Sequence, residues 1–172
     1  MADQNRSHDK KTPESETNGH QSLIDPYESG MVTNPMIIGR PGMECRVVAV
    51  LTSVKEKRGL KLIHPQTRCL RKNDIHELLM TDEPDAGPGA RVDRVTGIAF
   101  VEFTTGGVMI KGDAVLVGDV PIGEIAGFDE THMPNHYNIL MKSRKRVTGK
   151  DLGLNAGDKI FIAADMHRGE NA

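Results

Sequence analysis

Three short apolar runs, Val108 to Lys111, Ala114 to Val117 and Val120 to Ile122, follow one another with only Gly112-Asp113 and Gly118-Asp119 between them. Glycine tolerates the backbone angles of a tight turn, and aspartate bonds its own neighbouring backbone. Short strands packed this closely predict a compact barrel or a meandering sheet. The surrounding chain agrees. Cys45 to Val54 is a β-branched, mostly apolar run long enough for a central strand, and Leu60 to Ile63 is a shorter one. Lys55 to Gly59 reads as a charged, hairpin-like turn between them, with Gly59 at positive φ. Ile98 to Phe103 alternates as far as Glu102, and Thr104 to Gly107 turns the chain. Tyr137 to Met141 and Lys159 to Ala163 supply further strands.

One helix is expected. Asn73 or Asp74 can cap it, and Ile75, Leu78 and Leu79 recur at helical spacing up to about Met80. The expected fold is mainly β: a small closed or partly closed β-barrel with one short α-helix and a disordered N-terminal tail. Residues 1–30 hold almost no apolar cluster and cannot offset their ordering entropy, so they form the tail, and residues 31–172 form a single barrel-like domain.

The net charge of −2 argues against a general polyanion binder. The basic run Lys142 to Arg146 has no aromatic interleaving, and the chain has no tryptophan, so no nucleic-acid partner is expected. That run reads as a solvated hairpin before the strand at Lys159. Cys45 and Cys69 lie in or beside apolar runs and read as two buried, reduced thiols. The N-terminus is too polar for a signal peptide, and no run approaches the ~18 apolar residues of a membrane span. A cytoplasmic protein without a membrane partner is the expectation. No Gly-rich phosphate loop opens a helix, so no nucleotide cofactor is expected.

The stretch from Gly123 to Leu140 concentrates Glu124, Asp129, Glu130, His132, Asn135, His136 and Tyr137 between two strands. His132 and His136 have the spacing of a helical chelate, but Pro134 lies between them and opposes a helix. In a loop the two imidazoles can still converge, with Asp129 as the oxygen ligand of a divalent metal, or Glu130 or Glu124 in its place. Without metal, a carboxylate and a histidine can exchange protons near neutral pH. The plainer alternative makes Asp129, Thr131 and Asn135 turn caps and leaves the histidines bonded to backbone carbonyls. Glu102, inside an apolar strand, either faces solvent or lines a polar barrel interior with the histidines. Lys111, at a strand end, reads first as a solvated edge residue, with a hairpin partner for Glu102 or an anion-binding group as the alternatives. His64, before Pro65 at a strand end, reads first as a turn residue and is the candidate for a third histidine, and His76 sits on the exposed face of its helix.

The catalytic expectation is therefore His132, His136 and Glu102, with Lys111, Asp129, Glu130, Asn135, Tyr137 and Glu124 binding a small-molecule ligand or substrate. The expected function is a small enzyme that acts on a polar metabolite by general acid–base chemistry, with or without a metal. The outcome would be that of a lyase, isomerase, cyclase or decarboxylase. The alternatives are a non-enzymatic ligand-binding or sensing barrel and an oligomeric scaffold. Open strand edges favour a homodimer.

Overall fold

The computed structural model describes residues 26, 28, 29, 31, 37 and 39–164. The expected tail falls outside these residues except at positions 26, 28 and 29. The described chain contains strands and no helix: β1 (Met43–Val50), β2 (Val54–Lys55), β3 (Leu60–Lys61), β4 (Thr67–Leu70), β5 (Ile75–Thr81), β6 (Arg91–Val92), β7 (Val95–Phe103), β8 (Gly107–Ile110), β9 (Ala114–Val117), β10 (Val120–Asp129), β11 (Asn138–Lys142) and β12 (Lys159–Ala163). Seven of them hydrogen-bond in a ring in the order β1, β12, β9, β10, β11, β5, β7 and back to β1. All neighbours are antiparallel except β11 and β5, which run parallel.

Alternation fills the ring. Met43, Cys45 and Val47 of β1, Val101 and Phe103 of β7, and Ile160 and Ile162 of β12 all point inward and are buried. Arg46 and Val48 on β1 and Phe161 on β12 face solvent. A second apolar cluster lies outside the ring, where Leu60, Leu62 and Val92 of the β3–β6 region cover Leu79 of β5 and Leu140 of β11.

The expected helix over residues 74–80 is instead the strand β5. Its middle is buried on both faces, Leu78 and Met80 in the ring and Leu79 in the outer cluster. A doubly buried strand loses its alternation, and Ile75, Leu78 and Leu79 then mimic a helical face. His76 is consequently buried rather than exposed.

The turn at Gly112 and the one at Gly118 form as expected, with φ of +92° and +58°. Val117 and Val120 pair directly across the second of them. Gly59 also takes positive φ, +68°, but its turn joins strands of different sheets, since β2 pairs with β7 and β3 with β6. Two other expected hairpins do not form. β7 and β8 are not neighbours, because β8 pairs with β4, which separates Lys111 from Glu102. The segment from Lys142 to Arg146 is no hairpin either, since β12 pairs with β1 and β9. Cys45 is buried and free, whereas Cys69 is free but exposed on β4.

Candidate functional site

β10 ends at Asp129, and the loop that follows is built on that side chain. Asp129 is almost fully buried. Its Oδ1 accepts from the Thr131 N–H at 3.1 Å and from Asn138 Nδ2 at 2.8 Å. Its Oδ2 accepts from Thr131 Oγ1 at 3.0 Å and from the Lys61 N–H at 3.1 Å. Both oxygens are thus committed to holding the loop mouth and β3 together, and Asp129 is a structural anchor rather than a ligand.

Beyond this anchor the chain coils tightly. The His132 carbonyl accepts from the Asn135 N–H at 2.9 Å and from the His136 N–H at 3.3 Å, across a cis Met133–Pro134 bond. The two imidazoles therefore meet without a helix, stacked with ring centres 5.0 Å apart. His136 leans edge-on against Phe100 of β7 at 5.1 Å. Opposite them stands Glu77 of β5, in register with Phe100 on one side and Asn138 on the other. One ligand atom each from Glu77, His132 and His136 lies within 4.8 Å of the others. The group sits on the outer face of the ring, with His132 exposed and the other two half-buried.

Asn135 Oδ1 lies 3.2 Å from His136 Nδ1, and an amide oxygen can only accept, so Nδ1 is the donor. His136 Nε2 lies 3.6 Å from Glu77 Oε2, an ion pair when the ring is protonated, and this buried nitrogen makes no hydrogen bond. His132 Nε2 lies 3.1 Å from Arg58 Nη2. A guanidinium can only donate, so that nitrogen is an acceptor.

Behind the site, Tyr137 packs on His76 at 5.2 Å, and its backbone N–H donates to His76 Nδ1 at 3.1 Å. Burial pushes the His76 pKa down, a nearby Asp74 opposes that, and His136 adds slightly to it. Arg68 lies over the Phe128 and Tyr137 rings and pairs with Glu130, which is not among the converging ligand atoms.

Of the residues expected from sequence, His132, His136 and Asn135 come together, whereas the Tyr137 ring packs against the core beside His76. Glu102 is not among the converging atoms: it points outward from β7, between Arg46 and Ile75 in register. Lys111 follows β8, its N–H donating to the Gln66 carbonyl at 2.9 Å. His64 lines a separate cleft of about 500 Å³ with Lys61 and Arg68. Glu124 pairs with Lys142 at 3.2 Å beside another cleft, of about 1080 Å³. The other carboxylates there are engaged too: Asp82 with Arg94 and Arg146, and Glu83 with the Asp93 and Arg94 N–H groups. That cleft therefore offers no free acid–base pair. Glu77 and Arg58 were missed. Strand alternation across residues 75–81 would have put Glu77 on the face opposite Leu78, but the helical reading hid it. Arg58 carried no signal, being one cation in a charged turn.

The chain belongs to a family of unknown function, DUF6917, whose model matches residues 38–163. No curated protein and no solved structure matches it.

Proposed function

We propose, since membership in that family brings no reaction with it, that the protein is a small enzyme acting on a polar metabolite by metal-assisted acid–base chemistry. Glu77, His132 and His136 would hold a divalent transition metal. The observation that carries this reading is the convergence of Glu77, His132 and His136 ligand atoms within 4.8 Å, with the buried His136 Nε2 standing 3.6 Å from the Glu77 carboxylate and no hydrogen bond between them. An imidazole nitrogen and a carboxylate at that distance can share an electrophile, a proton or a metal ion, and two imidazoles with a carboxylate suit zinc and its neighbours. Ligand atoms about 2.0–2.2 Å from a zinc ion lie roughly 3.3 Å apart, so the His136–Glu77 pair needs little movement. Asn135 on Nδ1 orients His136 as partners behind a metal-bound imidazole do.

Three protein ligands leave a coordination position for water or substrate. A bound divalent ion lowers the pKa of its water to about 7, giving a base at neutral pH, and polarises a substrate oxygen. Proton abstraction next to such an oxygen leads to lyase, isomerase, cyclase or decarboxylase outcomes. The exposure of His132 on an open face favours a second reading, a binding or sensing site for the same ligands without turnover.

Titration of the full chain with Co²⁺ or Zn²⁺, followed by calorimetry and cobalt absorption, tests the metal. One equivalent should bind, and Glu77→Gln and His136→Ala should each weaken it by about 10-fold or more. Equal binding by the variants, or none by the parent protein, would overturn the reading. Metal-dependent consumption of a polar metabolite, lost in His136→Ala, separates the enzyme from the sensor.

A further inference from the structure

Arg58 reaches His132 from a firmly placed backbone. Its N–H donates to the Asp93 carbonyl at 2.8 Å, and the chain on either side is pinned by the β2–β7 and β3–β6 pairs. Most arginines near it have a carboxylate: Arg68 has Glu130, Arg91 has Asp93, Arg94 has Asp82 and Arg146 has Glu56. Arg58 has none among the described residues, and its one side-chain bond is the 3.1 Å contact to His132 Nε2. A planar, permanently charged fork that matches oxyanions is thus spent on a neutral imidazole lone pair.

We infer that Arg58 recognises an oxyanion on the ligand of this site, and that ligand and metal bind with positive coupling. The inference rests on the metal reading above. While Arg58 donates to His132 Nε2, that lone pair is closed to a metal, and a fixed positive charge stands beside the ion's position. A carboxylate, sulfate or phosphate group on the ligand offers Arg58 a stronger, charge-assisted partner. Arg58 turns to it, His132 Nε2 is released, and the cation's charge is offset. The ligand then lies between Arg58 and the open coordination position. By linkage the metal raises affinity for the anion by the same factor. The substrate class narrows to small metabolites carrying an acid group beside a metal-polarisable oxygen.

The experiment measures Co²⁺ affinity of the full chain by calorimetry for the parent protein, Arg58→Met and Glu77→Gln. Each is run in sodium chloride, sodium sulfate and sodium acetate at matched ionic strength. Arg58→Met should bind Co²⁺ about 10-fold more tightly in chloride, within the usual range of coupling between sites. Sulfate or acetate should tighten binding several-fold in the parent protein and leave Arg58→Met unchanged. The stronger of the two anions tells whether the site prefers a tetrahedral or a planar oxyanion. Should Arg58→Met fail to fold, the anion dependence of the parent protein decides alone. Metal binding abolished by Glu77→Gln but indifferent to anions and to Arg58→Met overturns the inference and leaves the metal site standing. Metal binding by none of the proteins overturns the metal reading itself.

Discussion

Tyr137 donates its backbone N–H to His76 Nδ1, so this imidazole is held neutral with its proton on Nε2, packed between Phe103 and Tyr137. Burial makes the charged ring unfavourable and sets its pKa below the ordinary 6.5. The unfolded chain then takes up the proton more readily than the folded one. The stability carried by neutral His76 is complete above pH 6.5 and declines as pH falls from there towards the depressed folded value. Two carboxylates work in a lower window. Hydrogen bonds from Lys159 lower Glu44 from 4.5, and the Thr148 N–H lowers Asp151 from 3.8, so neither acts above pH 5. His76→Asn keeps an acceptor for Tyr137 and removes the titration. Urea midpoints at pH 7.5 and 5.5 should fall further with acid in the parent protein than in this variant. Equal falls would assign the loss to another group.

Among the elements, β5 shows where pattern reading ends. A half-buried strand advertises itself by alternation, as β7 did up to Glu102, and β1 was legible as a β-branched, mostly apolar run. β5 is roofed by the β3–β6 region over Leu79 and lined by the ring core at Leu78 and Met80, so its period disappears. That misreading hid both Glu77 and the burial of His76. The loop holding His132 and His136 was legible because its polar density has no packing purpose. Its true partners were not, since Glu77 and Arg58 arrive from strands and turns more than 50 residues away. Another element was silent in sequence: the segment at Gly149 passes so close to β7 that its N–H meets the Gly97 carbonyl at 3.1 Å. A Cβ built there would stand 1.9 Å from the Ile98 carbonyl oxygen, a backbone atom that cannot step aside. Gly149→Ala should therefore destabilise the protein by about 1–3 kcal/mol or more, the range of overpacking. Chemical denaturation checks this, and a change under ~0.5 kcal/mol would mean that the loop slides freely over β7.

At the scale of the molecule, ring closure joins the first long strand to the last. β1 meets β12 through Cys45 and Ile160, and β7 through Cys45 and Phe103. Every ring strand thus has a hydrogen-bonded neighbour on each side, while β2, β3, β4, β6 and β8 each pair on one side only among the described residues and keep an edge open to association. Closure also makes stability collective. Among the described residues β12 alone bridges β1 and β9, so its loss exposes two strand edges and the inward faces that Ile160 and Ile162 cover. Pairing across such sequence distances must precede its reward, which makes folding slow, on the millisecond-to-second scale of non-local β topologies. A chain ending at Asp158 should lose its cooperative thermal transition, and Ile160→Ala in the full chain should cost about 2–5 kcal/mol. Hydrogen exchange gives an independent reading. Amides of β1 and β12 should open only with those of β5 and β11, because no part of a closed ring can leave alone. If β12 instead exchanged far faster than β5, or the shortened chain melted as sharply as the whole, closure would contribute little and the parallel β5–β11 pair would be the true core.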